Sequence, residues 1–446
     1  MPNERFLSTF AQLAAISFGV LLAASALAAG QSEFLAYSFP LSTRTTVSPC
    51  EPKGNLVADS SGNLYGTGSM CGGNTGVVFK LTRPSSPSKV WTETLLDSAI
   101  SGSPESGVIF DAAGNLYGTA RFGTTGLGLV FELSPPATEG GQWTEKVLYN
   151  FQGGLTDGAD PAGGVVFDKA GNLYGVTARA GSGLQQFNFC MNGCGVVYKL
   201  TPSGTPGGAW TETVLHTFTV KTSAIVPVGA LVFDGKGNLY GATLGAGADG
   251  RSLGAAAYRL TPPSTAGGSW NFRVLFPFGG PGQGPQDSLT FHNSGRLYGT
   301  TSNGGQFVAG SVFELVPPAV PGNTWTENVL YSFNGVPGDG LYPMANVVFD
   351  NAGSLYGTTP YGGSGPTVCL SDITGCGTVF KLSPPTTEGG NWAEAILHSF
   401  TPGTKVRAPD GALPTRGLLY WKNGVLFGVT PDGGHGGEGT VFGVVP

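Results

Sequence analysis

A short phrase, Leu-Tyr-Gly-Thr or a close variant, returns seven times along the chain, and it constrains the fold more than any other feature. Its aromatic residue falls at Tyr65, Tyr117, Tyr174, Tyr240, Tyr298, Tyr356 and, as Leu-Phe-Gly, at Phe427. Six residues before each stands Asp59, Asp111, Asp168, Asp234, His292, Asp350 or Trp421. Seven residues earlier still stands Pro52, Pro104, Pro161, Pro227, Pro285, Pro343 or Pro414. A third apolar run centres on Phe79, Phe131, Tyr198, Tyr258, Phe313, Phe380 and Phe442. In the first six units a tryptophan follows twelve residues on: Trp91, Trp143, Trp210, Trp270, Trp325 and Trp392. A period of this length marks a repeat architecture.

Each unit holds four short runs of β-formers bounded by Gly, Pro and Asn, such as Val165–Asp168, Asn172–Thr177, Val196–Leu200 and Trp210–Phe218. These read as strands. The Asp-x-x-Gly-Asn link between the first two reads as a tight turn. Four-stranded sheets repeated radially make a propeller, so the expected fold is all-β, a seven-bladed β-propeller with four-stranded blades. The seventh unit stops at Phe442-Gly443-Val444, one strand short. The segment Phe34-Leu35-Ala36-Tyr37-Ser38-Phe39 resembles the fourth-strand sequence Val329-Leu330-Tyr331-Ser332-Phe333. The N-terminal strand is therefore expected to complete the last blade and close the ring.

Composition narrows the reading further. Gly and Pro are abundant (75 and 32) and charged residues make up only 11%. Without a period that would suggest disorder, but 27 Phe, 14 Tyr and 7 Trp supply a core. A net charge of −6 gives no basic footprint, so nucleic acid is not an expected partner. Residues 1–28 read as a secretory signal: Leu13 to Ala29 is apolar or small, and Ala26-Leu27-Ala28 has a small-x-small cleavage form. An uncleaved membrane anchor is the alternative. No second apolar run of about 20 residues follows, so the mature chain is expected to hold no membrane span. Residues 31–446 read as one propeller, expected to be monomeric and secreted, extracellular or periplasmic.

The recurring Phe-Asp-x-x-Gly-Asn-Leu-Tyr-Gly-Thr and Gly-Thr-Val-Phe-Lys-Leu segments resemble the GloVer tandem repeats of bacterial extracellular proteins. The resemblance spans nearly the whole mature chain and implies an exported repeat protein. It brings no catalytic residues with it. That family carries varied C-terminal anchors; the sequence reads to Val445-Pro446 without a sorting tail, so surface anchoring is not expected.

In an antiparallel blade, links 1–2 and 3–4 share one face, and links 2–3 and 4–1 share the other. The first two links have constant length here. Link 2–3 varies, with 14 to 24 residues from Tyr to Phe, and link 4–1 varies, with 13 to 22 from Trp to Pro. Length variation thus falls on one face, where a rigid scaffold usually carries its function. The cysteines fall there too. An exported chain with six suggests three bridges, expected as Cys50–Cys71, Cys190–Cys194 and Cys369–Cys376.

Candidate chemistry is sparse. Gly250-Arg251-Ser252-Leu253-Gly254 matches a nucleophile-elbow pattern without the strand–turn–helix context, and chance explains it. The two G-x-G-x-x-G strings open no helix. No metal site and no cofactor are expected from four His. His435 alone lies on the variable face, near Asp432 and Glu438. Asp157, Asp339 and Asp410 begin Asp-Gly-x-x-Pro segments; they suit cation or sugar-hydroxyl binding, with a Pro-preset turn as the alternative. Arg121, Arg179 and Arg251 occupy 2–3 links of blades 2, 3 and 4, an arc suited to carboxylate or phosphate. Phe122, Phe187 and Tyr361 add aromatic surface on the same face. These residues point to a binding or scaffold module for an extracellular polysaccharide or an envelope protein. The alternatives are a polysaccharide lyase or hydrolase with its site over the central channel, and a purely structural envelope protein.

Overall fold

The computed structural model describes residues 32–41, 49–70, 76–86, 89–138, 140–181, 193–205, 207–219, 224–246, 253–265, 267–279, 283–364, 369, 375–387, 389–401 and 409–446. Seven antiparallel sheets, each with strands ordered 1-2-3-4, form a seven-bladed β-propeller. The N-terminal strand Ser32–Ser38 pairs with the last strand, Thr440–Val445, as the missing fourth strand of blade 7. No helix of the described residues is long and apolar enough to cross a membrane.

The inner strands are shorter than the sequence suggests. In six blades they are two residues long, for example Ile109–Phe110 and Val348–Phe349, though blades 1 and 3 add a separate strand before it, Pro49–Pro52 and Gly158–Pro161; blade 4 has Pro227–Phe233. The reason is crowding at the axis, where neighbouring blades meet backbone to backbone. A Cβ on Gly54 would lie 1.9 Å from the Gly107 nitrogen, and one on Gly163 would lie 2.1 Å from the Gly229 oxygen.

Every letter of Leu-Tyr-Gly-Thr has a physical cause. The leucine is fully buried in six blades and in the Leu-Phe-Gly of the seventh (Leu64 to Leu426). The tyrosine hydroxyl donates to the turn aspartate six residues back, at 2.9–3.2 Å in blades 1, 2, 3, 4 and 6. The same aspartate accepts from turn amides, as Asp59 does from the Ser61 and Asn63 nitrogens. Burial pushes the Asp59 carboxyl up, but the hydrogen bonds from Asn63, Tyr65 and Ser61 outweigh it and hold it below its ordinary value. In all seven blades the glycine lies under the third-strand aromatic ring: a Cβ there would fall 2.3–2.7 Å from that ring or its hydroxyl. The threonine hydroxyl reaches the next blade, as Thr67 donates to the Ser106 carbonyl (2.8 Å) and Thr119 to Gly163 (2.9 Å). Blade 5 shows the rule by its exception. There His292 replaces the aspartate and bonds Ser294, and Tyr298 donates instead to Glu314, which also pairs with Arg296.

The proline stacks on the preceding blade. A Cβ on Gly128, Gly310, Gly377 or Gly439 would meet the Cδ of Pro161, Pro343, Pro414 or Pro52 within 2.3–2.7 Å. The residue before it has positive φ in five blades: Glu51, Asp160, Val226, Tyr342 and Leu413, at 46–58°. Each of those five N–H groups bonds a carbonyl of the preceding blade, Glu51 to Glu438 closing the ring. The inter-blade bond offsets the local strain.

The outer rim carries a girdle of glutamates, Glu33, Glu93, Glu145, Glu212, Glu327 and Glu394, at one fourth-strand position. Most face a Tyr or His of the preceding blade, and Tyr37 donates to Glu93 at 2.7 Å. Glu33, Glu93, Glu212 and Glu394 each bury an oxygen with no hydrogen-bond partner. Burial raises all six; with Asp157 and Asp339 nearby, Glu212 and Glu394 are pushed up to about 7. In blade 4 Phe272 takes the position and stacks on His216 at 3.8 Å, and burial lowers His216 to about 4.

Two predictions follow from this packing. Gly357→Ala puts a methyl 2.5 Å from the buried Phe380 ring and should lower stability by about 1–3 kcal/mol in denaturant melts. In the girdle, folding favours protonated Glu212 and Glu394, so their contribution is present below about 4.5 and fades as pH rises through 7. His216 acts oppositely, losing stability as pH falls from 6.5 towards 4, but it is one group against Glu212 and Glu394. Tm should fall between pH 5.5 and 8, and Glu212→Gln with Glu394→Gln should flatten that slope.

Candidate functional site on the loop-bearing face

Arg121 and Arg179 come together on one carboxylate. Arg121 continues the second strand of blade 2 by pairing with Ser103, and Arg179 lies in the second strand of blade 3, one residue further along the repeat, paired with Ala159. Between them is Asp160, the residue before Pro161, held at φ 56° by its N–H bond to Leu127. Arg121 Nη2 is 3.5 Å and Arg179 Nε 3.1 Å from Asp160 Oδ2. Asp160 is buried, whereas the Arg179 side chain is 66% exposed, so its terminal nitrogens face solvent. Phe122, at φ 72°, is exposed, with the Arg121 guanidinium 5.5 Å from its ring centroid. Arg251 and Phe187 lie outside the described residues.

The aspartates of the Asp-Gly-x-x-Pro segments point inward. Asp157 accepts from the Tyr149 hydroxyl (3.0 Å) and from the Gln152 and Gly158 nitrogens. Asp339 accepts from the Asn334 and Gly340 nitrogens, and Asp410 from His398 Nε2 (3.0 Å) and Thr401. Burial pushes Asp410 up, but His398 and Thr401 outweigh it and hold it low. These carboxylates fasten the 4–1 links to the fourth strands. Tyr361 is in blade 6, three blades from Asp160, edge-on to Tyr342 at 6.3 Å. His435 is exposed in blade 7, its N–H bonded to Ser38. The structure therefore brings neither Tyr361 nor His435 to the arginine pair.

Cys369 and Cys376 form a disulfide. Cys194 is disulfide-bonded, while Cys190 lies outside the described residues. Cys71 also lies outside them; of Cys50 only the backbone, paired with Ser69, is described. Among the described residues no group of three or more His, Cys, Asp or Glu could hold a metal ion.

Sequence reasoning missed a second cluster. A cavity of about 260 Å³ on the propeller axis is lined by Glu105, Asp287, Arg416, Asn55, Ser106 and Ser288, among others. All lie one to three residues after the repeat proline, where other blades carry mostly Gly or Ala. That departure from the repeat was the available signal. Asp287 accepts from Ser288, while Arg416 takes part in no ion pair among the described residues.

The chain matches the Gloeobacter/Verrucomicrobia repeat over residues 15–189 and 183–442. It belongs to that family. No curated protein matches this Gloeobacter/Verrucomicrobia repeat chain. Among solved structures it is similar to a protein of unknown function from Dyadobacter fermentans, at 12% identity and TM-score 0.41, over 93% of this chain and 98% of that one. It is also similar to an ulvan lyase of polysaccharide lyase family PL25, at 11% identity and TM-score 0.42, over 78% of each chain. A Hadza microbial sialidase is similar at 14% identity and TM-score 0.42, over 86% of this chain and 73% of that one.

Proposed function

We propose that this repeat protein is an exported module whose loop-bearing face binds an acidic extracellular carbohydrate. One observation carries the reading: Asp160 pins two guanidinium groups beside an exposed Phe122 ring. Two cations against one carboxylate leave a net positive charge, and the remaining N–H donors suit a carboxylate or sulfate. A sugar's apolar face would lie on Phe122. Exposed apolar side chains on the variable links, Leu41, Leu155, Phe307, Val308 and Val336, support the same face as the contact surface. The Cys369–Cys376 bridge agrees with an oxidising compartment, and residues 1–28 fit as the export signal. Residues 31–446 would then be the mature propeller.

Titration with polygalacturonate against a neutral glucan checks this. Arg121→Ala with Arg179→Ala should weaken acidic-polymer binding about tenfold or more, from the usual worth of charge-assisted hydrogen bonds. Added salt should weaken wild-type binding and affect the variant less. Equal affinity of the two proteins, with Tm preserved, would remove the proposal.

A second reading rests on the axial cavity. Glu105 and Asp287 enter it from blades 2 and 5 and give it two carboxyl groups, the donor set an acid–base lyase or hydrolase needs. Under this reading acidic polymers shorten over time. Glu105→Gln or Asp287→Asn should then abolish turnover, measured as new chain ends, while binding persists. No turnover by the unaltered protein leaves the binding module standing alone.

A further inference from the structure

The seam between blades 7 and 1 differs from the other six, on the face opposite the variable links. At those six seams the inner strand ends in an aromatic: Phe110, Phe167, Phe233, Phe291, Phe349 or Tyr420. Its ring meets the Leu-Tyr-Gly-Thr tyrosine of the preceding blade, with centroids 4.9–6.2 Å apart. In blade 1 that residue is Ala58. The ring it would meet is Phe427, which lacks the hydroxyl, and the turn residue of blade 7 is Trp421 instead of aspartate. The Tyr–Asp hydrogen bond is thus missing at both ends, which costs far less than losing one partner alone. What the three changes remove together is the plug of the seam.

A cavity of about 620 Å³ opens there. Its apolar walls include Trp91, Trp421, Phe34 and Phe427, with Trp91 and Phe34 edge-on to Phe427 at 5.7 and 6.0 Å. Arg83 and Lys422 line it as well, and neither takes part in an ion pair among the described residues. The arginine and one indole converge over Gly62. A Cβ on that residue would lie 3.1 Å from Arg83 Cδ and 3.5 Å from Trp421 Cζ2. The Lys422 ammonium sits 5.2 Å from the Trp421 ring centroid. Both cations therefore border the same aromatic surface, and no carboxylate among the described residues neutralises either.

We infer that this seam is a binding site for a ring-bearing carboxylate. Aromatic walls take the flat or apolar face of the ring, and the two unpaired cations select its anionic group. A uronic sugar and an aromatic acid share that chemistry. The site is separate from the arginine pair of the loop-bearing face and stands without it.

Tryptophan fluorescence of the purified protein, titrated at constant ionic strength with glucuronate, benzoate and neutral glucose, tests the assignment. The expected result is a saturable response to at least one acid and a response to glucose about tenfold weaker or absent. A response to glucuronate alone assigns the saccharide, and one to benzoate alone the aromatic acid. Ala58→Phe, which restores the repeat residue, should plug the seam, abolish the response and hold or raise Tm. Arg83→Ala, at the exposed rim, should weaken the acid response about tenfold, the usual worth of a charge-assisted hydrogen bond. Absence of any saturable response to either acid overturns the inference. So does a full response in Arg83→Ala, or in a folded Ala58→Phe protein.

Discussion

An aromatic ring whose far end closes over a glycine is the contact on which each blade depends. The third strand contributes Phe or Tyr, the second contributes the glycine of Leu-Tyr-Gly-Thr, and no Cβ fits between them. Close approach lets the ring reach the layer between blades, where it is almost wholly buried. Burying a ring of this kind takes about 150–250 Å² of surface out of water, a large contribution in a chain so rich in glycine. The closing strand uses the same device, since Phe34 lies over Gly443 as Phe442 lies over Gly428.

Between blades the connection is polar and directional. Threonine hydroxyls, the N–H groups ahead of the prolines and the proline rings all reach from one blade to its neighbour. These bonds are short-range and fix the angle at which sheets meet, which apolar burial alone does not do. They also explain why positive φ is tolerated ahead of proline, a position that normally avoids it.

The fold was legible because its causes repeat. A residue required seven times for one steric reason leaves a pattern that survives without any knowledge of distances. The N-terminal closure was legible for the same reason: Phe34 to Phe39 carries the fourth-strand pattern. The candidate sites were less so, because they consist of departures from the repeat. Asp160 occupies a position held elsewhere by Glu, Ser, Val, Gly, Tyr and Leu, so nothing in the sequence tied it to Arg121 and Arg179. Their spacing suggested an arc open to ligand; the structure shows a pair already anchored. Glu105, Asp287 and Arg416 carry no mark in the sequence beyond their departure from Gly or Ala, and only the ring brings all three to one cavity. The recurring Lys80, Lys199 and Lys381 each place the ammonium 5.6–5.8 Å from a tyrosine ring of their own blade.

Joining the first strand to the last has a consequence for biogenesis. Ser32–Ser38 emerges about 400 residues ahead of its partner, Thr440–Val445. At roughly 5–20 residues per second the interval is about 20–80 s. Throughout it an apolar strand with unpaired backbone groups is exposed, a template for wrong pairing with other chains. The ring cannot be finished vectorially, blade by blade, during translation. A cell making this protein must keep the early strand apart from its neighbours until the partner strand is out.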